Sequence, residues 1–370
     1  MTTPSKLPSN VYAVILAGGS GTRFWPKSRR KTPKQLCKIG RSEKTMIEIT
    51  LERLSGFIDP ENRIIVTHKD QAELTRKIVG DTCPNVLAEP EARQTTAALA
   101  LGAIAVEELH AKRGIKEKPV MISLHADHVI KKVDAFKQAL TDAVVLAEQD
   151  KLCLLGITPT RPDTGFGYLE KGSAIKDSNG FTVNSFREKP DLRTAKGFLA
   201  KKNFFWNAGL FIWRTEKILS EIKHFLPQTT EALGSAKEAI GGLLNSTPEQ
   251  LDPYYSKLQK IAIDHAILEV SADVSVVEAD IDWQDVGTWS ALDQTFTADE
   301  NGNLIFTDAI AIDCNNTTID GDGPLIAALG LHDLIIVGMK DAVMVAPKER
   351  AQDVKLFVDK LKKDKREELY

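Results

Sequence analysis

The chain has 370 residues, 42% hydrophobic and 27% charged, with a formal net charge of −3. That length carries a large domain plus a smaller one, the composition excludes a disordered chain, and the near-neutral charge excludes a global pull toward nucleic acid or a membrane surface. No apolar run approaches a bilayer span, the first ten residues lack a charged-then-apolar leader pattern, and Cys37, Cys83, Cys153 and Cys314 form no C-x-x-C pair, so free thiols in a reducing, cytoplasmic compartment are expected.

Residues 11–16 (VYAVIL) form a continuous apolar run closed by two glycines, the pattern of a buried parallel strand. Helical spacing follows over 45–57, then a strand at 63–67, a helix at 71–79, a short strand at 85–88 and an alanine-rich helix over 95–110. Strands at 120–124 and 152–157 bracket a helix over 133–148. This alternation predicts an α/β domain with a parallel sheet covered on both faces. Beyond residue 157 the rhythm loosens. Residues 161–170 read as a Gly/Pro/Asp-rich loop entering a β-segment, 181–186, 208–213 and 274–278 as strands, and 215–265 as several helix-like stretches. After residue 301, short apolar runs at 304–306, 309–312, 334–337 and 342–345 alternate with turn residues. That texture predicts a small β-rich second domain, followed by an amphipathic surface helix over 349–369.

Six segments carry chemistry. In LAGGSGTRFWPKSRRKTPKQ (16–35), Gly18, Gly19 and Gly21 follow the first strand, and Arg23 and Lys34 place cations beside them. Glycines let the backbone approach a phosphate and aim N–H groups at it, and cations offset charge on phosphoryl oxygens. No Gly-Lys-Ser/Thr closes a P-loop, and the third glycine of a dinucleotide fingerprint is missing. Asp127, in SLHADHVI, stands just past a strand and can ligate Mg²⁺; Asp285, in WQDVGTW, supplies a second carboxylate far downstream. His125 and His128 bracket Asp127 without a further nearby ligand for a zinc site. In FREKP, Glu188 can accept from sugar hydroxyls and Lys189 can pair with a sugar phosphate. TGFGYLE offers close backbone approach at Gly165, and FWNAGLFIW offers the amide of Asn207. Taken singly, each segment has a plainer reading: a tight strand-to-helix turn, a helix N-cap, an exposed E-K-P turn, aromatic packing.

In this order the six segments resemble the sugar-1-phosphate nucleotidyltransferases, over roughly residues 11–355. Trp25-Pro26 after GTRF, Gln35 after PK, and KDAVMVAPKERAQDVK (340–355) are similar to the mannose branch. The resemblance implies a Rossmann-like, mixed, mostly parallel sheet flanked by helices over residues 1–298, and a short left-handed β-helix with a C-terminal helix over 299–370. It implies transfer of GMP from GTP to α-D-mannose 1-phosphate, with Mg²⁺, by a homodimer with no nucleic-acid or membrane partner. By matched motif, Arg23 and Lys34 would contact the GTP phosphates, with Ala17, Gly18, Gly19, Gly21 and Thr22 around the nucleotide. Glu89, Pro90, Arg93 and Thr95 belong to the base-binding stretch. Asp127 and Asp285 would hold the metal. Lys189 would bind the sugar phosphate, with Glu188, Gly165 and Asn207 around the mannose. The base-binding stretch departs from the family's Gly-Arg-Asn-Thr-Ala-Pro, reading Ala92-Arg93-Gln94-Thr95-Thr96-Ala97, and His125 stands where the family more often has Pro. A fused isomerase domain and its activity are not expected, since the chain ends soon after the β-helix. Two alternatives accompany this reading: a transferase for another hexose 1-phosphate or nucleotide, and a non-catalytic sugar-nucleotide-binding homologue.

Overall fold

The computed structural model describes residues 5–19 and 21–370. In chain order the larger domain comprises β1 (Val11–Leu16), α1 (Met46–Arg53), β2 (Arg63–His68), α2 (Lys69–Val79), β3 (Asn85–Glu89), α3 (Gln94–Arg113), β4 (Val120–His125), β5 (His128–Ile130), α4 (Val133–Glu148) and β6 (Leu152–Ile157). It continues through β7 (Tyr168–Ala174), β8 (Gly180–Arg187), α5 (Leu192–Lys201), β9 (Phe204–Arg214), α6 (Thr215–Phe225), α7 (Pro227–Ile240), α8 (Pro248–Tyr255), β10 (Val274–Glu278), β11 (Trp283–Asp285) and α9 (Leu292–Thr295). The C-terminal part adds β12 (Leu304–Ile305), β13 (Ala309–Ile312), β14 (Thr318–Gly321), β15 (Ile326–Leu329), β16 (Leu334–Gly338), β17 (Val343–Pro347) and α10 (Lys355–Lys363).

Nine strands form one mixed sheet in the order β3-β2-β1-β4-β9-β6-β10-β8-β7. β1 pairs parallel with both β2 and β4, whereas β9 runs antiparallel to β4 and β6. β1 shows why an unbroken apolar run belongs here: Val11, Ala13 and Ile15 feed one core cluster while Tyr12 and Val14 feed another on the opposite face. α3 lies so close to the second face that a Cβ on Gly102 would meet Val14 Cγ1 at 2.7 Å. The strand order reverses at β1. The chain winds outward through β2 and β3, then returns to place β4 on the other side, and such a switch point opens a crevice at the carboxyl ends of the strands.

The C-terminal strands stack as parallel coils, β12-β14-β16 on one side and β13-β15 on another, closed by antiparallel β17. This β-helix is welded to the larger domain. One core cluster joins Phe24, Trp25 and Cys37 of the basic loop, Val286 and Trp289, the β-helix residues Ile335, Val337 and Met344, and Val354 and Val358 of the tail. Lys27 Nζ also reaches both oxygens of Asp320 in β14 at 2.7 Å.

Two expectations change, and three short elements are new. The tail is not one surface helix: it is a tight helical stretch, Lys348–Val354, followed by α10, and Trp25 Nε1 donates to Leu369 O at 2.7 Å. The strand expected at 208–213 begins at Phe204 because its first residues pair with β7. The three-residue pair β5–β11 and helix α5 carry too short or too mixed a pattern to read from sequence.

The buried Lys27–Asp320 pair gives a stability test. Its side chains are 12% and 1% exposed, so Asp320→Ala strands an unpaired ammonium and is expected to cost about 3–5 kcal/mol in denaturant melts. Arg29→Ala, which breaks the more exposed Arg29–Asp341 pair, is expected to cost about 0–1 kcal/mol. Equal losses contradict this account.

Candidate functional site

The basic loop leaves β1 at the switch point and is locked from below. Gln35 Nε2 donates to Ala17 O at 2.5 Å and to Gly19 O at 3.1 Å, and Thr67 Oγ1 donates to Ala17 O at 3.0 Å. Gly21 is left-handed, with φ +59°, and a Cβ there would stand 2.7 Å from the Lys34 amide nitrogen. Only glycine allows the loop to fold back this tightly. Thr22 and Arg23 lie on the following single turn, Thr22–Phe24.

Lys34 is 5% exposed. Its Nζ lies 2.6 Å from Asp127 Oδ2 and donates to Val286 O at 2.5 Å, so one ammonium ties the loop to the end of β4 and to the Trp283–Trp289 segment. The antiparallel pair β5–β11 sets Asp285 opposite His128, beside Asp127. Residues distant in sequence are thereby brought together. Burial opposes the charge on Asp127, but the Lys34 ammonium outweighs it and holds the carboxyl far below its ordinary range. Burial pushes the Asp285 carboxyl up; Lys34 counters this and Asp127 reinforces it.

His125, Asp127 and His128 present ligand atoms within 4.8 Å of one another, yet His128 is not free to ligate. Trp283 Nε1 donates to its Nδ1 at 3.2 Å, which puts the ring proton on Nε2. Burial, then His125, keeps this imidazole neutral. The two carboxylates suit a cation better. Among the described residues no side chain or backbone N–H donates to the Asp285 carboxylate, although it is half-buried and close enough to Asp127 to feel that second carboxylate. Two such oxygen donors fit a hard divalent ion that keeps its remaining positions for phosphate oxygens.

A cleft of about 390 Å³ runs from Ala17, Gly18 and Gly19 past Asp127 to Glu89, Arg93 and Thr95. Glu89 closes its far end, 5% exposed, with Tyr255 Oη donating to it at 2.5 Å. Burial pushes its carboxyl up to about 7, against the Tyr255 hydrogen bond. Pro90 is buried beside it. Arg93 is committed to the carbonyls of Leu258 and Ser256 and to Glu91, and so clamps the cleft wall. Thr95 Oγ1 accepts from Ile263 N–H at 2.9 Å. Thr22 instead faces a neighbouring pocket that shares Gly18.

A second cleft, of about 380 Å³, is lined by Arg23, Arg161, Gly165, Lys189 and Asp285. Lys189 is 64% exposed and pairs with Glu188 at 2.5 Å. Its φ of +44° precedes Pro190, where extended backbone is the rule, a strain of the kind found at ligand-binding positions. Gly165 N–H donates to Asp163 Oδ1 at 2.8 Å. Asn207 Nδ2 donates to Asp264 Oδ1 at 2.8 Å. Sequence reasoning missed three neighbours. Arg161 lies over Trp206, 5.0 Å from the ring centre to its guanidinium carbon; it opens the loop read at 161–170, just before TGFGYLE. Tyr255 and Asp264 lie in the helix-like stretch, where nothing marks them.

Residues 12–302 match the nucleotidyl transferase family, and residues 307–361 the MannoseP isomerase/GMP-like beta-helix domain. A mannose-1-phosphate guanylyltransferase of Klebsiella pneumoniae is 37% identical over 362 residues, covering 96% of this chain and 74% of that protein. One from Escherichia coli K12 is 36% identical over 369 residues, covering 97% and 75%. The crystal structure of a mannose-1-phosphate geranyltransferase from Thermus thermophilus superposes with a TM-score of 0.83 at 31% identity, covering 95% of this chain and 99% of that one.

The raised Glu89 carboxyl has a pH signature in the unliganded protein. Folding favours its protonated form, so that contribution is whole below about pH 4.5 and is lost as pH rises through about 7. Relative to Glu89→Gln, wild type is expected to lose stability across this window, by at most about 1.4 kcal/mol per pH unit, in denaturant melts at pH 4.5, 6 and 7.5. A pH-independent difference contradicts it.

Proposed function

The chain belongs to the nucleotidyl transferase family, among its mannose-1-phosphate guanylyltransferases, and from that premise we propose that it transfers GMP from GTP to α-D-mannose 1-phosphate, releasing pyrophosphate. The observation that carries the reading is Lys34 held between Asp127 and Val286 at the head of the glycine loop, where a polyphosphate lying across the switch point would meet it.

A sugar-phosphate oxygen attacks the α-phosphorus in line, the bond to the bridging oxygen of the β-phosphate breaks, and pyrophosphate leaves. The attacking phosphate is already an anion, so no protein nucleophile is required; the task is to position two anions and offset their charge. Arg23, Lys34 and the loop glycines act on the triphosphate. Lys189, with Arg161 nearby, takes the sugar phosphate; Glu188, Gly165 and Asn207 surround the sugar. Glu89, ionised, accepts from a base that presents adjacent N–H donors, as guanine does at N1 and N2. Asp127 and Asp285 would hold Mg²⁺, which supplies charge neutralisation and a common template for both anions.

We also read the protein as cytoplasmic, supported by four free, buried cysteines, and as a homodimer. Ile310 and Ile312 on β13 and Leu329 on β15 stand exposed on one parallel pair, with Ile312 opposite Leu329, a face a second copy would cover. Among the described residues no helix is long and apolar enough to cross a membrane.

A panel of nucleoside triphosphates and hexose 1-phosphates, scored by pyrophosphate release, tests the reading: GTP with mannose 1-phosphate is expected to give a kcat/KM at least about tenfold above any other pair. A preference for ATP or dTTP with glucose 1-phosphate contradicts it. Asp285→Asn is expected to lower metal-dependent turnover by about 10²–10³-fold, whereas Lys189→Met should act chiefly on the KM for the sugar phosphate.

A further inference from the structure

Residues 264–268 form a single π-helical turn, a conformation that recurs at functional sites. It is pinned at both ends. Ile263 N–H donates to Thr95 of the nucleotide cleft at 2.9 Å, and beyond the turn Glu269 accepts from the Glu188 N–H at 3.1 Å. The turn therefore bridges the two clefts, and Asp264 is its first residue.

Asp264 is half-buried, and Asn207 is the only side chain among the described residues that donates to its carboxylate. Asn207 is itself fixed: its Oδ1 accepts from Gly209 N–H at 2.9 Å, which orients the amide with its donors toward Asp264. Glu188 gives one oxygen to Lys189, while its Oε2 is buried without a partner. Glu188, Lys189 and His125 all lie close enough to act on the Asp264 charge. Two carboxylates and an amide thus converge beside one lysine. Carboxylates repel a phosphate but accept hydroxyl protons, so this mixture suits a phosphate at Lys189 with ring hydroxyls at Asp264, Glu188 and Asn207. An unmet acceptor in such a cluster disfavours a ligand whose hydroxyl points elsewhere.

We propose that Asp264, oriented by Asn207, is a sugar-specificity residue that accepts a hydrogen bond from a ring hydroxyl of the hexose 1-phosphate. This rests on the transferase reading above. Asp264→Asn tests it with little structural disturbance, because the new amide oxygen still accepts from Asn207. Steady-state kinetics should show the KM for mannose 1-phosphate raised about 10- to 100-fold, the KM for GTP within about twofold, and the preference for mannose over glucose 1-phosphate reduced at least about tenfold. Binding of mannose 1-phosphate alone, followed by thermal shift, should weaken in parallel. The swap Asn207→Asp with Asp264→Asn keeps the hydrogen bond and moves the carboxylate; it should restore the melting temperature without restoring the sugar KM, and it serves as the test if the single variant folds poorly. An unchanged KM, or a fall in kcat shared equally by all sugars, overturns the inference and leaves Asp264 a structural support. A wild-type protein that releases pyrophosphate with no hexose 1-phosphate overturns the transferase reading, and this inference with it.

Discussion

One buried ammonium organises the site. Lys34 binds Asp127 at 2.6 Å and Val286 O at 2.5 Å, and those three residues come from the loop after β1, the end of β4 and the segment after β11. A buried charge requires partners, so each segment must arrive at a fixed place. The constraint spreads outward. Gly21 is left-handed because the loop must turn back past the Lys34 backbone, Gln35 ties the loop floor to Ala17, and the β5–β11 pair holds Asp285 next to Asp127. The β-helix belongs to the same scaffold, since Ile335, Val337 and Met344 share a core with Trp25 and Trp289 and Lys27 is sealed against Asp320.

Both clefts set carboxylates beside cationic or N–H-rich groups. Glu89 closes one end of the first cleft, and Asp264 and Glu188 lie near Lys189 of the second. Asp127 lines the first cleft, and Arg23, Lys189 and Asp285 line the second. Carboxylates beside cations suit ligands that carry both hydrogen-bond donors and phosphate. All four cysteines are buried, and for Cys37, Cys83 and Cys153 burial pushes the thiol up to about 12, so none of these three offers a thiolate near neutral pH. The chemistry rests on position and electrostatics.

Much of this was legible in the sequence, for identifiable reasons. Parallel strands buried on both faces are unbroken apolar runs, so β1, β2, β4 and β6 announce themselves, and glycines and cations directly after β1 mark a phosphate loop. Asp127 and Asp285 could be named by residue type and by resemblance. Their proximity could not, because it depends on two three-residue strands too short to carry a period. Asp264 left no signal: a π turn differs from an α-helix by one residue in hydrogen bonding, and its partner Asn207 lies in another element. Arg93 shows the converse, a motif residue whose guanidinium serves the cleft wall.

The central claim is that Lys34 joins the scaffold to the nucleotide phosphates. Calorimetric titration of GTP with Mg²⁺ into wild type and Lys34→Met, with folding checked by circular dichroism, tests it most directly. The account predicts that the folded variant binds GTP at least about tenfold more weakly, a loss of about 1.4 kcal/mol or more. A folded Lys34→Met protein that binds GTP as tightly as wild type would contradict it.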